Sequence, residues 1–220
     1  MVDTIIFDLD GTLLDTLEDL TDSVNYAMEQ FGLPTHTLDA VRGFVGNGVA
    51  KLIERAIPQG VKNPSYEAIF ETFREHYAKH CEDKTRPYEG IMELLAQLKE
   101  QGYHLAIVSN KFDGAVKQLC KKYFREYISV AIGESDQVKR KPAPDTVYQA
   151  LRELGSEGSR AIYVGDSEVD LQTAQNAQLR CVSVTWGFRT KEQLLNAGAV
   201  WIIRTPQELP ELLARLQAEG

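Results

Sequence analysis

Short apolar runs alternate with longer amphipathic stretches along most of the chain. The runs are rich in Ile, Val or Ala, which is typical of strands buried on both faces of a parallel sheet. They predict strands at Thr4–Phe7, His104–Ser109, Val130–Gly133, Ala161–Gly165, Cys181–Thr185 and Trp201–Arg204. The amphipathic stretches predict helices at Ile91–Gln101, Gly114–Tyr123, Thr146–Leu154, Glu168–Ala177, Lys191–Ala197 and Glu208–Ala218. This alternation predicts an α/β fold with a doubly wound parallel sheet.

The stretch between the first two predicted strands breaks this rhythm. Thr16–Asp83 contains no convincing strand, but its apolar residues recur at helical spacing. They are Leu17, Leu20, Val24, Ala27 and Met28, and then Ile69, Phe70, Phe73 and Tyr77. We therefore predict a core domain of residues 1–15 and 85–220 and an inserted all-helical cap domain of residues 16–84. An insert that follows strand 1 is expected at the carboxyl ends of the strands, where open parallel sheets bind ligands.

Length and hydropathy limit the classes of protein that fit. The 220 residues suit one core domain with a smaller insert. Hydrophobic residues make up 43% of the chain and charged residues 25%, yet no stretch approaches the roughly 18 apolar residues that cross a bilayer. The amino-terminal residues reach Asp3 at once and show no signal-peptide pattern. We expect a cytoplasmic protein with no membrane contact.

Charge and cysteine content narrow the choice further. The chain has 24 Lys and Arg against 32 Asp and Glu, a net charge of −8, which disfavours binding to duplex nucleic acid. Cys81, Cys120 and Cys181 are odd in number and form no Cys-x-x-Cys pair. We expect reduced, buried cysteines, since neither a disulfide framework nor a zinc site fits this spacing.

Two carboxylates close the first predicted strand. Asp8 and Asp10 are two residues apart, so on an extended chain they lie on the same side, with Cα atoms roughly 6–7 Å apart. At an effective dielectric constant near 20, their repulsion costs about 2–3 kcal/mol, which is enough to raise one pKa or to require a cation between them. For an isolated Asp-x-Asp-Gly, a turn at Asp10-Gly11 is the simpler interpretation.

Three further predicted strands lead to reactive or anion-binding groups. The second ends at Ser109-Asn110, and the fourth leads to Asp166, with Asp170 one helical turn later. The third leads through a loop to Lys141. Each group alone is also explained by a helix N-cap or a solvated loop. Together, at the same rim of one sheet, they indicate a single site.

These residues form four ordered motifs: Asp8-Leu9-Asp10-Gly11-Thr12, Ser109-Asn110, Lys141-Pro142, and Gly165-Asp166 with Asp170. In this order, on these elements and with a helical insert between the first two, they resemble the motifs of the haloacid dehalogenase-like (HAD) hydrolase superfamily. The resemblance covers the whole chain. It implies a Rossmann-like core with an inserted helical cap.

The resemblance implies a role for each carboxylate of the first motif. Asp8 is the expected nucleophile, which takes the phosphoryl group as an aspartyl-phosphate, and Asp10 protonates the leaving oxygen and later activates water. A carboxylate suits the first role because it attacks at neutral pH without a deprotonating base. Members of the superfamily that cleave carbon–halogen or carbon–phosphorus bonds lack the second Asp. The presence of Asp10 therefore disfavours both activities, and a phosphatase or a phosphomutase remains.

The other motifs imply phosphate and metal ligands. Ser109 and the backbone N–H groups of Leu9 and Asn110 are expected to bind phosphate oxygens, while Lys141 neutralises charge on the transferring group and on Asp8.

Mg²⁺ is the implied cofactor. Its expected ligands are the carboxylates of Asp8 and Asp166 and the backbone carbonyl of Asp10, because a hard cation prefers oxygen. Asp170 is a further acid near the metal, either supporting the ligands from outside or binding the metal directly.

The candidate substrate-binding residues of the insert are Arg42, Gly46, Asn47 and Gly48. A dinucleotide loop does not fit, because no strand precedes Gly46-x-Gly48 and Lys51 replaces the third glycine. We interpret the stretch as a helix N-terminus that attracts an anion, with Arg42 able to grip a carboxylate or phosphate. A helix–helix turn within the cap is the alternative.

This stretch, with Ser109-Asn110-Lys111 and Val184–Phe188, is similar to phosphoglycolate phosphatases. We therefore predict a Mg²⁺-dependent phosphoric monoester hydrolase that acts on 2-phosphoglycolate. Hydrolysis of pyrophosphate or a sugar phosphate is the next candidate, and phosphomutase activity follows. A non-catalytic regulatory module that only binds phosphate is the alternative from another class. Such a module would not need Asp10 or Lys141, and this chain has both. Composition leaves monomer and homodimer open.

Overall fold

The computed structural model describes residues 1–218 and divides the chain into two compact units. The core unit runs Met1–Leu14 and resumes at Pro87. The helical unit is Asp15–Arg86. The helical unit is therefore inserted after the first strand of the core unit.

The elements follow one another in a regular order. As far as Arg86 they are β1 (Thr4–Phe7), β2 (Leu14–Asp15), α1 (Leu17–Gln30), α2 (Leu38–Phe44), α3 (Val49–Ala56) and α4 (Tyr66–His80). From there they are β3 (Arg86–Pro87), α5 (Ile91–Glu100), β4 (His104–Phe112), α6 (Asp113–Leu119), β5 (Val130–Glu134), α7 (Asp145–Leu154), β6 (Ala161–Gly165), α8 (Glu168–Asn176), β7 (Arg180–Val184), α9 (Lys191–Asn196), β8 (Trp201–Ile203) and α10 (Glu208–Ala218).

A parallel sheet forms the centre of the core unit. Among residues 1–218 it has six strands, in the order β5-β4-β1-β6-β7-β8. Phe7 at the end of β1 is in register with Ile107 of β4 on one side and with Val164 of β6 on the other. The carboxyl ends of these three strands therefore come together at one edge of the sheet.

Apolar side chains cover both faces of the sheet. Ile5 and Phe7 belong to one buried cluster, together with residues of α5, α6 and α10. Ile6 points to the opposite face and belongs to a second cluster, with residues of α7 and α8. Because side chains alternate along a strand, a strand buried on both faces must be apolar throughout, as β1 is. The predicted doubly wound α/β fold is confirmed.

The helical unit packs its own apolar residues between α1 and α4. Leu20 and Val24 of α1 and Ile69, Phe73 and Tyr77 of α4 are all buried. The rings of Phe73 and Tyr77 stack with their centroids 5.5 Å apart. Their spacing along each helix places them on one face, as the periodicity predicts.

The structure differs from the predicted elements in three places. β4 continues to Phe112 instead of ending at Ser109, because Phe112 still pairs with Glu134 of β5 after a shift in register. The predicted helix Gly114–Tyr123 is interrupted, since α6 ends at Leu119 and the chain continues as a π-helical turn over Cys120–Phe124. The short strands β2 and β3, which pair with each other at the two junctions of the helical unit, have no counterpart in the prediction.

No helix in the described part of the chain combines the length and the apolar character that a membrane span requires.

Candidate functional site

Three of the candidate residues lie at the carboxyl ends of neighbouring strands in the core unit. Asp8 follows β1, Ser109 lies within the last part of β4, and Asp166 follows β6. The backbone N–H of Asp8 donates to the carbonyl oxygen of Val164 at 2.9 Å, which continues the pairing of β1 with β6 by one residue. Sheet topology alone therefore brings these side chains to one rim.

Asp8 is buried at this rim and contacts two donors. Its Oδ1 accepts a hydrogen bond from the Leu9 N–H at 2.7 Å and lies 2.8 Å from the Nζ of Lys141. Burial raises the pKa of Asp8 to about 7, and the charge of Asp170 adds to this shift, while Lys141 opposes it. Burial and the nearby carboxylates thus oppose the ionisation of Asp8, and a further positive charge beside it would favour the ionised form.

Asp166 and Asp170 complete a cluster of buried carboxylates around Asp8. An oxygen atom from each of the three lies within 4.8 Å of the other two. The pKa of Asp166 is raised well above its usual value, mainly by burial and then by the charges of Asp170 and Asp8. Three buried carboxylates at such distances oppose one another's ionisation, and a cation bound by carboxylate oxygens would relieve this. The cluster therefore fits a hard divalent cation.

Asp166 is held in place by groups from the neighbouring loops. The backbone N–H of Phe188 donates to its Oδ2 at 2.7 Å, and the hydroxyl of Thr12 donates to its Oδ1 at 3.4 Å. Gly11 has a φ of +85°, and a Cβ at this position would overlap the Asp166 carboxylate. The glycine of the first motif is thus required both for the turn and for the close approach of the fourth motif.

Asp170 accepts hydrogen bonds on both carboxylate oxygens. Oδ1 accepts from Lys141 Nζ at 2.8 Å and from the Tyr163 hydroxyl at 3.1 Å. Oδ2 accepts from the backbone N–H and the hydroxyl of Ser167 at 3.1 and 2.6 Å, which forms the capping box that begins α8. The Ser-x-x-Asp spacing is a sequence signal of this cap. Tyr163 was not among the predicted site residues, because it lies within a buried strand and no motif marks it.

Lys141 is the fixed positive charge beside the carboxylate cluster. Its Nζ lies 2.8 Å from oxygens of both Asp8 and Asp170 and 3.1 Å from the hydroxyl of Tyr163. Burial lowers the pKa of Lys141, but the charges of Asp170 and Asp8 outweigh this and raise it above the usual value. Lys141 therefore stays protonated and balances part of the negative charge.

The backbone of Lys141 is anchored by the side chain of Asn110. The Lys141 N–H donates to Asn110 Oδ1 at 2.8 Å, and Asn110 Nδ2 donates to the Lys141 carbonyl at 3.0 Å. The peptide bond between Lys141 and Pro142 is cis. The side chain of Asn110 thus fixes the loop that carries Lys141, in addition to the role predicted for its backbone N–H.

Asp10 pairs with a lysine that was not among the predicted site residues. Lys111 Nζ lies 2.8 Å from Asp10 Oδ1, and its side chain is only 2% exposed. The backbone N–H of Lys111 donates to Ser109 Oγ at 3.2 Å. The sequence signal was the position of Lys111, which follows two candidate site residues at the end of an apolar strand.

The predicted residues of the insert lie in the helical unit, with Arg42 in the last turn of α2 and Gly46, Asn47 and Gly48 between α2 and α3. Arg42 contacts Asp39 at 3.2 Å and is 44% exposed, and Asn47 Oδ1 accepts from Arg55 at 2.7 Å. Gly46 and Gly48 have φ values of +118° and +85°, which only glycine adopts readily. α3 begins directly after Gly48, so the stretch is both a helix N-terminus and a turn between two helices, and both interpretations stay open.

Known proteins resemble this chain over most of its length. The family model of the haloacid dehalogenase-like hydrolases matches residues 5–184. A phosphoglycolate phosphatase of Mesorhizobium japonicum is 34% identical over 84% of this chain and 83% of its own. An N-acetylmuramic acid 6-phosphate phosphatase of Pseudomonas aeruginosa is 29% identical over 96% of this chain and 94% of its own. A crystal structure from Lactobacillus delbrueckii subsp. bulgaricus has a TM-score of 0.92 at 37% identity, covering 96% of this chain and 97% of that chain.

With its parallel sheet, its buried carboxylate rim and this family match, the chain belongs to the haloacid dehalogenase-like hydrolase family.

Proposed function

We propose that this phosphoric monoester hydrolase removes phosphate from 2-phosphoglycolate, through an aspartyl-phosphate at Asp8 and with Mg²⁺ bound at the rim. The observation that carries the proposal is the buried cluster of Asp8, Asp166 and Asp170 with Lys141 in contact with two of its members. The relatives named as phosphoglycolate phosphatases support the choice of substrate.

Asp8 acts as the nucleophile and attacks the phosphorus atom directly. The hydroxyl of Ser109 and the backbone N–H groups of Leu9 and Asn110 bind the phosphate oxygens. Lys141 lies against Asp8, so it reduces the repulsion between the nucleophile and the negatively charged phosphate. In the structure the Leu9 N–H donates to Asp8 itself, so it orients the nucleophile before phosphate binds.

Asp8 and Asp166 would hold Mg²⁺ through their carboxylates, and Asp10 through its backbone carbonyl. When bound, the ion supplies positive charge that neutralises the phosphate and the carboxylates. Both oxygens of Asp170 already accept hydrogen bonds from protein donors. Asp170 therefore supports the site from outside by holding Lys141 and the start of α8.

Asp10 exchanges a proton with the leaving oxygen and then with water. We expect Asp10→Asn to lower kcat by about 10²- to 10⁴-fold on an alkyl phosphate such as 2-phosphoglycolate, because its leaving group needs a proton. The loss on 4-nitrophenyl phosphate should be much smaller in the first step, since that leaving group departs as an anion. Single-turnover kinetics on both esters measures this, and an equal loss of the first step on both would remove Asp10 from proton transfer.

Arg42 is the proposed contact of the helical unit with the substrate carboxylate, supported by its bidentate chemistry and by the glycine-rich turn that follows it. Arg42→Ala should raise KM for 2-phosphoglycolate about 10-fold or more and change KM for 4-nitrophenyl phosphate less. Arg74→Ala is the matched control, because Arg74 also pairs with an acid three residues away and is 52% exposed. Equal changes on both esters would leave Arg42 without this role.

A panel of phosphate esters tests the substrate. We expect the highest kcat/KM for 2-phosphoglycolate and no phosphate release in EDTA. A sugar phosphate is the second candidate, because a relative that covers most of the chain is named for N-acetylmuramic acid 6-phosphate. The panel therefore includes this ester and pyrophosphate, with an assay for phosphomutase activity. Release from no ester by folded protein with Mg²⁺ would favour a regulatory module that only binds phosphate.

The cytoplasmic location and the choice between monomer and homodimer stay predictions. Gel filtration with light scattering decides the second.

A further inference from the structure

Two buried lysines lie at the rim, and the four motifs account for one of them. Lys141 contacts Asp8 and Asp170, on the side of the nucleophile. Lys111 contacts Asp10, which we place beside the leaving oxygen. The two ammonium groups therefore pair with different carboxylates, Lys141 with the proposed nucleophile and Lys111 with the proposed proton donor.

Lys111 lies in the last part of β4, where the register with β5 shifts between Val108 and Phe112. Its N–H donates to Ser109 Oγ at 3.2 Å, so its backbone is tied to a proposed phosphate-binding residue. Its side chain is 2% exposed, so its ammonium group is a preorganised charge rather than a solvated one.

The distances from Lys111 set the size of the group that it can contact. A proton donor lies about 2.6–3.2 Å from the oxygen that it serves. Lys111 Nζ lies 2.8 Å from the Asp10 carboxylate. Where Asp10 Oδ1 serves the ester oxygen, the ammonium group lies within about 6 Å of that oxygen, a gap that an anionic group one carbon away from it can close.

We propose that Lys111 selects phosphate esters whose leaving group carries a carboxylate one carbon from the ester oxygen. The inference rests on the proposed function only in placing Asp10 beside the leaving oxygen. A substrate carboxylate at this position would lie close to Asp10, and the two would repel each other once Asp10 has given its proton to the leaving oxygen. Lys111 lies where it offsets that repulsion, and it offers one oxygen of the substrate carboxylate a charge-assisted hydrogen bond, in addition to the contact proposed for Arg42. An ester with a neutral leaving group gains neither effect.

The test compares matched ester pairs in three variants. The first pair is 2-phosphoglycolate and its primary amide, and the second is 2-phospholactate and its primary amide. In Lys111→Met we expect the ratio of kcat/KM for the carboxylate over the neutral ester to fall about 10- to 100-fold. Lys111→Arg should restore part of that ratio. Lys117→Met is the control, because Lys117 pairs with Asp113 and is 64% exposed.

The outcomes separate selection from a purely structural role. A Lys111→Met variant that loses activity equally on both members of both pairs would show that the lysine supports only Asp10 or the fold, and would overturn the proposal. Absence of any carboxylate preference in the unmodified protein would overturn it as well. If 2-phosphoglycolate is not hydrolysed but 2-phospholactate is, the proposed substrate is wrong, and the second pair still decides the role of Lys111.

Discussion

Asp8→Asn should lower phosphatase turnover by about 10⁴-fold or more, because an amide cannot attack phosphorus as a carboxylate does. The fold should survive the change. The environment of Asp8 opposes its ionisation, as the raised pKa of about 7 shows, so a neutral side chain of the same shape is tolerated at pH 8 in metal-free protein. Steady-state turnover on 2-phosphoglycolate, with urea unfolding in EDTA, measures both effects.

Asp136→Asn is the control for this variant, since Asp136 is exposed on a loop after β5. It should keep turnover within about twofold, as surface substitutions usually do. The aspartyl-phosphate mechanism is wrong if Asp8→Asn, purified free of the unmodified enzyme, still turns over at a rate comparable with that enzyme.

Lys141→Met should have the largest effect on stability among the substitutions considered. It leaves three buried carboxylates without the ammonium group that lies 2.8 Å from two of them. Removing one partner of a buried ion pair costs about 3–5 kcal/mol in the free energy of unfolding. We expect a loss of this size at pH 8 in EDTA, together with loss of turnover.

The loss of stability in Lys141→Met should be smaller at pH 5.5 than at pH 8, because the pKa of Asp8 is raised in the folded protein. Its pKa is raised in the folded protein to about 7, so the stability contributed by the bound proton is complete below about pH 4 and is lost as the pH rises through about 7. At pH 5.5 Asp8 keeps this proton in the folded protein, so the buried cluster carries less negative charge for Lys141 to balance. Urea unfolding at both pH values measures the difference, with Lys117→Met as the exposed control. An equal loss at both values would contradict the electrostatic explanation.

Much of the sheet and the meeting of the motifs could be predicted from the sequence. The apolar run of β1 is short and continuous, which is typical of a strand covered on both faces. Parallel strands end at the same edge, so Asp8, Ser109 and Asp166 had to meet once the strands were recognised. These predictions depend only on the spacing of apolar residues and on the parallel direction of the strands, and both follow from local patterns in the sequence.

The contacts that hold the site in position were not predictable in the same way. Asn110 anchors the backbone of Lys141 across 31 residues, and Lys111 reaches Asp10 across 101 residues. Both depend on the register shift near the end of β4 and on the rotamers of side chains that the pattern does not encode. The polar run at that end predicted reactive groups, but it could not show which of them meet substrate and which hold one another.

The pairing of β2 with β3 has a consequence for how this chain can evolve. It places the first and last residues of the helical unit side by side. Within the core unit, the insertion therefore joins two chain positions that are already adjacent. The entropic cost of closing a loop grows only slowly with its length. A longer, shorter or different insertion can therefore be accepted at these two strands with little effect on the folding of the core. The carboxylate rim lies entirely within the core unit, so it keeps its supporting strands whichever insertion is present.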